Sequence, residues 1–166
     1  MIRRLRHTAA AILVAVVVCS VAATVVAEPY EDNPEASERD ADYAAGKAAL
    51  ARKDWPEAAR RFRQAWLRDP DSADLNNYLG FSYRNLKQMD LAFKYYKRAI
   101  ELNPRHRGAH EYIGEAYLMV NDVASAEKHL AALRQICLLP CEELDDLEKA
   151  VAGYRATGAG KGKPGT

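Results

Sequence analysis

Residues 76–104 read NNYLGFSYRNLKQMDLAFKYYKRAIELNP, and the order of small, aromatic and proline residues within them decides the fold. Leu79-Gly80 is followed by Tyr83, Ala92, Tyr96, Ala99 and Pro104. The same order recurs 34 residues to either side, anchored on Gly46, Gly80 and Gly114. Ala45, Leu79 and Ile113 precede these glycines, and Ala49, Tyr83 and Tyr117 follow three residues later. In the same register come Ala58, Ala92 and Ala126, then Phe62, Tyr96 and Leu130, then Ala65, Ala99 and Leu133, and last Pro70, Pro104 and Leu138. A period of this length with small residues at set offsets marks an array of stacked helix-turn-helix units.

Packing gives the recurrence a cause. Two antiparallel helices approach closely only where little side chain intervenes, and the glycines on each first helix with Ala58, Ala92 and Ala126 on each second helix supply that clearance. Glycine inside a helix costs about 0.5–1 kcal/mol relative to alanine, so its return at one phase requires a contact of this kind. Tyr83, Tyr117, Phe62 and Tyr96 are predicted to fill the remaining space. Pro70 and Pro104 suit the turn into the next unit or its first turn, where no interior helical N–H is needed.

In these residues the chain resembles the tetratricopeptide repeat family, whose pattern runs Leu-Gly, Tyr, Ala, an aromatic and a closing Pro. The likeness covers residues 39–140 and is fullest in the middle unit. The first unit has Ala49 where an aromatic is expected, and the third has Leu130 for the later aromatic and Leu138 for the proline. The family's first signature position, a Trp, holds Asp42, Asn76 and His110. The resemblance implies an all-α, right-handed superhelical stack of three units, residues 39–72, 73–106 and 107–140, with a concave groove lined by the first helix of each. The family's groove positions fall on Tyr43, Lys47 and Leu50, on Asn77, Phe81 and Arg84, and on Glu111, Glu115 and Leu118. On this mapping Tyr43, Phe81 and Leu118 are apolar anchors. Lys47 and Arg84 lie toward one end and Glu111 and Glu115 toward the other, a gradient that would orient a segment of opposite polarity. Chaperone-binding members resemble one another in a Lys/Asn/Arg clamp for a C-terminal carboxylate. Here those sites carry Tyr43, Lys47, Tyr78, Gly108 and Tyr112, with Lys47 the one base among them, so that ligand is not expected.

At 166 residues the chain is one small domain with tails. Residues 141–156 are predicted to cover the end of the stack as a helix, with Leu144, Leu147, Val151 and Tyr154 on one face. Glu142, Glu143, Asp145 and Asp146 load its first turns with negative charge, favourable at a helix N-terminus and read as a solvated helix start. Residues 1–27 read as a signal peptide: Arg3, Arg4 and Arg6, an apolar run from Ala9 to Val18, and Val25-Val26-Ala27 before Glu28. The alternative is a retained membrane anchor over residues 9–27, close to the about 20 residues that span a bilayer. Either way residues 28–166 are expected outside the cytoplasm, in the periplasm of a bacterial envelope, free or anchored to the inner membrane. Val18 before Cys19 is not the small residue that resembles a lipoprotein signal. Residues 28–38 read as an acidic linker with a helix start near Ser37, and residues 157–166 as a disordered tail. The full chain holds 24 basic and 23 acidic side chains; without the three arginines of residues 1–27, 21 basic face 23 acidic. This balance argues against nucleic acid, which needs a concentrated basic patch.

After export, Cys137 and Cys141 remain, flanking Leu138-Leu139-Pro140. An oxidising compartment favours a disulfide between them, across the turn that Pro140 enforces. Cys-x3-Cys also resembles the copper site of some exported assembly factors, thiolates suit Cu(I), and His129 two turns back would be a third ligand. Those factors have a thioredoxin-like fold, which this pattern does not share. Thiol exchange is a further reading, without the Cys-x-x-Cys spacing. His106 and His110 stand i, i+4, but no zinc-protease glutamate accompanies them, and packing between units is the plainer role for His110. No glycine-rich phosphate loop and no Gly-x-Ser-x-Gly elbow occurs. The expected function is therefore a non-enzymatic adaptor without cofactor or metal, holding a protein or peptide in the groove. Self-association and a copper or thiol-exchange assembly factor are the alternatives. Membrane contact is expected only if residues 1–27 are retained.

Overall fold

The computed structural model describes residues 40–157. Seven helices follow one another there, with no strand among the described residues. α1 (Ala41–Ala51) and α2 (Trp55–Trp66) form the first unit, α3 (Ala73–Asn85) and α4 (Met89–Leu102) the second, and α5 (Arg107–Met119) and α6 (Val123–Ile136) the third. α7 (Glu142–Ala156) follows. Each helix packs on the next, α3 also meets α5, and α7 lies against both α5 and α6. The signal-or-anchor segment, the linker, the helix start near Ser37 and residues 158–166 of the tail lie outside the described residues.

Local chemistry sets the helix ends. Asp40 caps α1 by accepting from the N–H of Asp42 at 2.8 Å and of Tyr43 at 3.1 Å. Ser72 caps α3 through Leu75 N–H at 3.2 Å, and His106 Nδ1 caps α5 through Ala109 N–H at 3.1 Å. Within each unit one residue adopts a left-handed backbone: Lys53 (φ 58°), Lys87 (φ 62°) and Asn121 (φ 63°), again one period apart. Each lets the next N–H turn back to the first helix, Asp54 to Ala49 O, Gln88 to Tyr83 O and Asp122 to Tyr117 O, all at 2.9 Å. These are Schellman turns, which end the first helix and aim the second antiparallel to it.

The glycines mark where the helices of a unit meet. A Cβ on Gly46 would stand 2.7 Å from the Phe62 ring, and one on Gly80 2.5 Å from the Tyr96 ring. The clearance is thus taken by the aromatic of the second helix, while Ala58, Ala92 and Ala126 are fully buried alongside. In the third unit a Cβ on Gly114 would stand 2.7 Å from Leu147, a residue of α7. Leu147 and Val151 join Leu118, Leu130 and Leu133 in one core, with Leu144 and Tyr154 packed against it.

The positions where the family carries Trp are polar here, and each is tied down. Asp42 meets Arg61 at 3.0 Å and Arg68 at 2.8 Å. Asn76 accepts from Trp66 Nε1 at 3.2 Å and donates to the carbonyls of Pro70 at 2.9 Å and Ser72 at 2.7 Å. His110 lies 3.1 Å through Nε2 from the Pro104 carbonyl, so its Nδ1 accepts from His129 Nδ1 at 3.0 Å. Burial holds both imidazoles low, His129 at about 4, so the pair is neutral near pH 7. Cys137 and Cys141 are joined by a disulfide with Cα atoms 6.1 Å apart. Leu138 and Leu139 between them are 86% and 80% exposed.

Candidate functional site

α1, α3 and α5 carry the residues assigned to the groove, and stacking brings several of them together. Lys47 donates to the Tyr78 hydroxyl at 2.9 Å, its ammonium 5.0 Å from that ring's centre. Phe81 packs between Trp55 and Tyr112, with ring centres 5.9 and 4.8 Å away. The Arg84 guanidinium lies over Phe81 at 5.0 Å and Tyr112 at 5.4 Å, and pairs with Glu115. The charge gradient expected along the groove is therefore corrected. Residues 84 and 115 stand almost one period apart, so stacking α3 on α5 joins them, and their charges offset each other. Tyr43 and Leu118 are buried in the cores of the first and third units and offer no exposed anchor. Leu50 packs against the first core.

Apart from Lys47, whose charge also helps to lower the Asp74 carboxyl, what remains charged on this face is acidic. A cavity of about 310 Å³ opens between α3, α5 and α7, lined by Asp74, Asn77 and Tyr78, by His106, Gly108, Glu111 and Tyr112, and by Glu142, Glu143 and Asp146. No lysine or arginine lines it. Asp74 accepts from His106 Nε2 at 3.0 Å, which holds its carboxyl below the usual range against the opposing effect of burial. Glu143 faces Arg107 at 3.6 Å and Asp146 faces Lys149 at 3.0 Å. Glu111 is 8% exposed and has neither a hydrogen bond nor an ion pair among the described residues. Burial, then Glu115, Asp146 and Glu143, push its carboxyl up to about 8, with Arg84 opposing. Asn77 is 4% exposed and its Oδ1 has no partner. Tyr43, Asn77 and Glu111 occupy one register position in successive units, so the same buried place changes from ring to amide to carboxyl toward α7.

Two other places carry less. A larger cavity of about 440 Å³ lies among α2 and α4; its Arg98 is already matched to Asp71 at 2.6 Å and to Glu101 at 3.4 Å, and its Lys94 lies 5.7 Å from the Tyr95 ring centre. Among the described residues no three His, Cys, Asp or Glu side chains converge as a metal site. The proposed copper set does not assemble, because Cys137 is bonded to Cys141 and His129 is turned to His110.

Models of the tetratricopeptide repeat match residues 40–72, 73–106 and 90–137. The chain belongs to the tetratricopeptide repeat (TPR) family. A curated relative, the uncharacterized protein ycf37 of Guillardia theta, is 32% identical over 90 residues, covering 51% of each chain. The TPR chain thus spans about half the length of that relative. Among solved structures, the TPR2B domain of yeast Sti1 in its pHsp70 complex matches with a TM-score of 0.66 at 20% identity, covering 73% of this chain and 97% of that one. The type III secretion translocator chaperone SycD of Yersinia enterocolitica matches at 0.63 and 18%, covering 78% and 96%. The Sgt2 TPR domain of Aspergillus fumigatus matches at 0.63 and 19%, covering 80% and 87%. These likenesses establish the superhelical fold.

The groove mapping of this TPR stack named Asn77 and Glu111 but not the acidic cavity that they line. Three of its carboxylates come from α7, outside the repeat, where Glu142, Glu143 and Asp146 read as a solvated helix start. The available signal was the shared register of Tyr43, Asn77 and Glu111, which places a carboxylate at a position that other units bury.

Proposed function

We propose that this TPR stack is a non-enzymatic protein-interaction module that holds a segment of another protein along α1, α3 and α5. The observation that carries this reading is a pair of buried polar side chains on the inner face, Asn77 and Glu111, with Asn77 Oδ1 buried and without a partner. Buried polar groups without partners lower stability, so their place beside Tyr78, Phe81 and Tyr112 fits a surface that a ligand completes. Complexes of similar folds, pHsp70 with Sti1 and CopN with Scc3, support a protein ligand. A C-terminal carboxylate is a poor fit, since the former clamp site Gly108 opens onto carboxylates. The copper alternative gains no support, because the two cysteines are bonded to each other and His129 is turned to His110. Self-association along the groove remains open to sedimentation across concentrations.

A photo-crosslinking residue at Phe81 or Tyr112 tests the reading in the native cell envelope. The expected result is a discrete adduct, weakened by Trp55→Ala and absent when the crosslinker sits at Lys94 on α4. Adducts from Lys94 and not from Phe81 or Tyr112 overturn it. We further propose that residues 1–27 direct export to the periplasm; sequencing the purified chain should find Glu28 at its start, and a start at Met1 with membrane retention would favour the anchor.

A further inference from the structure

The cavity between α3, α5 and α7 departs from the rest of the inner face in sign. Elsewhere on that face Arg84 is neutralised by Glu115, while Lys47 donates to Tyr78 and keeps its charge at the Asp74 side of the cavity, away from Glu143 and Asp146 on α7. In the cavity Glu111 lies buried without a partner, facing Glu143 and Asp146 from α7. Gly108 removes the side chain that would close the wall beside Asn77; a Cβ there would stand 3.3 Å from Asn77 Nδ2. A half-turn of that amide presents its unpartnered acceptor instead. The volume, about 310 Å³, is at the lower end of small-ligand sites and leaves room for one long side chain with its water.

We infer that this cavity receives one cationic side chain, an arginine or lysine, from the segment held in the groove, with Glu111 as its counter-charge, Asp146 shared with the exposed Lys149 adding to it, and Asn77 accepting an N–H. This rests on the groove reading proposed above. An ammonium or guanidinium supplies what the site lacks, several donors and a positive charge, without the tight converging ligand set that a metal ion demands. The phenol of Tyr112 and the ring of Tyr78 give the alkyl stem an amphipathic wall. Burial keeps the Glu111 carboxyl protonated up to about pH 8 in the free protein, so arrival of a cation displaces that proton.

The test uses short fluorescent peptides identical except for a central Arg, Gln or Glu, titrated against the full chain by fluorescence polarisation at low and high salt. Spermidine is added as a competitor. The Arg peptide is expected to bind roughly tenfold tighter than the Gln peptide, and the Glu peptide weakest. The preference should disappear in the Glu111→Gln, Asp146→Asn double variant, with an unfolding curve of that variant recorded to check that it is folded. Equal binding of all three peptides overturns the inference and leaves the groove reading standing. Binding of none overturns both. Displacement of the Arg peptide by spermidine at matching affinity would assign the site to free polyamine and overturn the side-chain source.

Discussion

The first two units and the third solve one packing problem with different parts. In units one and two the second helix closes on the first through a ring set against a glycine, Phe62 on Gly46 and Tyr96 on Gly80. In unit three the equivalent residue is Leu130, and Leu147 of α7 occupies the place beside Gly114. A helix outside the repeat has become a structural part of it. The same helix brings Glu142, Glu143 and Asp146 against Glu111, so the end of the stack that borrows its packing also carries the charged cavity. A capping helix can therefore do more than cover an exposed apolar face: it can decide the chemistry of the groove beside it.

The comparison is sharpest in the residues that fill the glycine sites. Phe62→Ala and Leu147→Ala should each destabilise the chain by about 3–5 kcal/mol, because both are fully buried. Denaturant unfolding checks the size, and a loss for Leu147→Ala near zero would return α7 to the role of a loose cover. The third unit also differs in its pH response. Glu111 titrates near 8 when folded and near its ordinary 4.5 when unfolded, so the unfolded chain releases the proton first. Stability should fall as pH rises from about 4.5 through 8, by up to about 5 kcal/mol, and Glu111→Gln should remove that fall. Urea midpoints for both chains at several pH values measure it.

Smaller effects separate unit two from unit one. The Tyr96 hydroxyl is buried without a partner where unit one has Phe62, so Tyr96→Phe should stabilise by about 1 kcal/mol. A thermal melt that falls would mean that the hydroxyl is satisfied. The second helices begin at Asp54, Gln88 and Asp122. Asp54 accepts from Glu57 N–H at 3.2 Å and Asp122 from Ser125 N–H at 3.0 Å, whereas Gln88 makes no side-chain cap. Gln88→Asp should add about 0.5–1 kcal/mol, read as a raised Tm.

The repeat was open to sequence reading because close approach of helices leaves few residue choices, and Gly46, Gly80 and Gly114 record it at a fixed interval. Ala58, Ala92 and Ala126 are buried for the same reason. The Schellman turns stayed hidden because Lys53 and Lys87 are unusual left-handed residues, and Asn121 alone carries a local signal for them. In the groove, register gave the helix and the face but not the partner. Arg84 looked like a free basic anchor until stacking set it beside Glu115. Glu142, Glu143 and Asp146 looked like favourable charge at a helix start, which they are; that Glu143 and Asp146 also face Glu111 depends on where α7 docks.

The central claim, that α7 belongs to the third repeat, is tested most directly by hydrogen exchange on Leu147→Ala. The account predicts that α5, α6 and α7 lose protection together while α1 to α4 keep theirs. Loss confined to α7, with α5 and α6 unchanged, would contradict it.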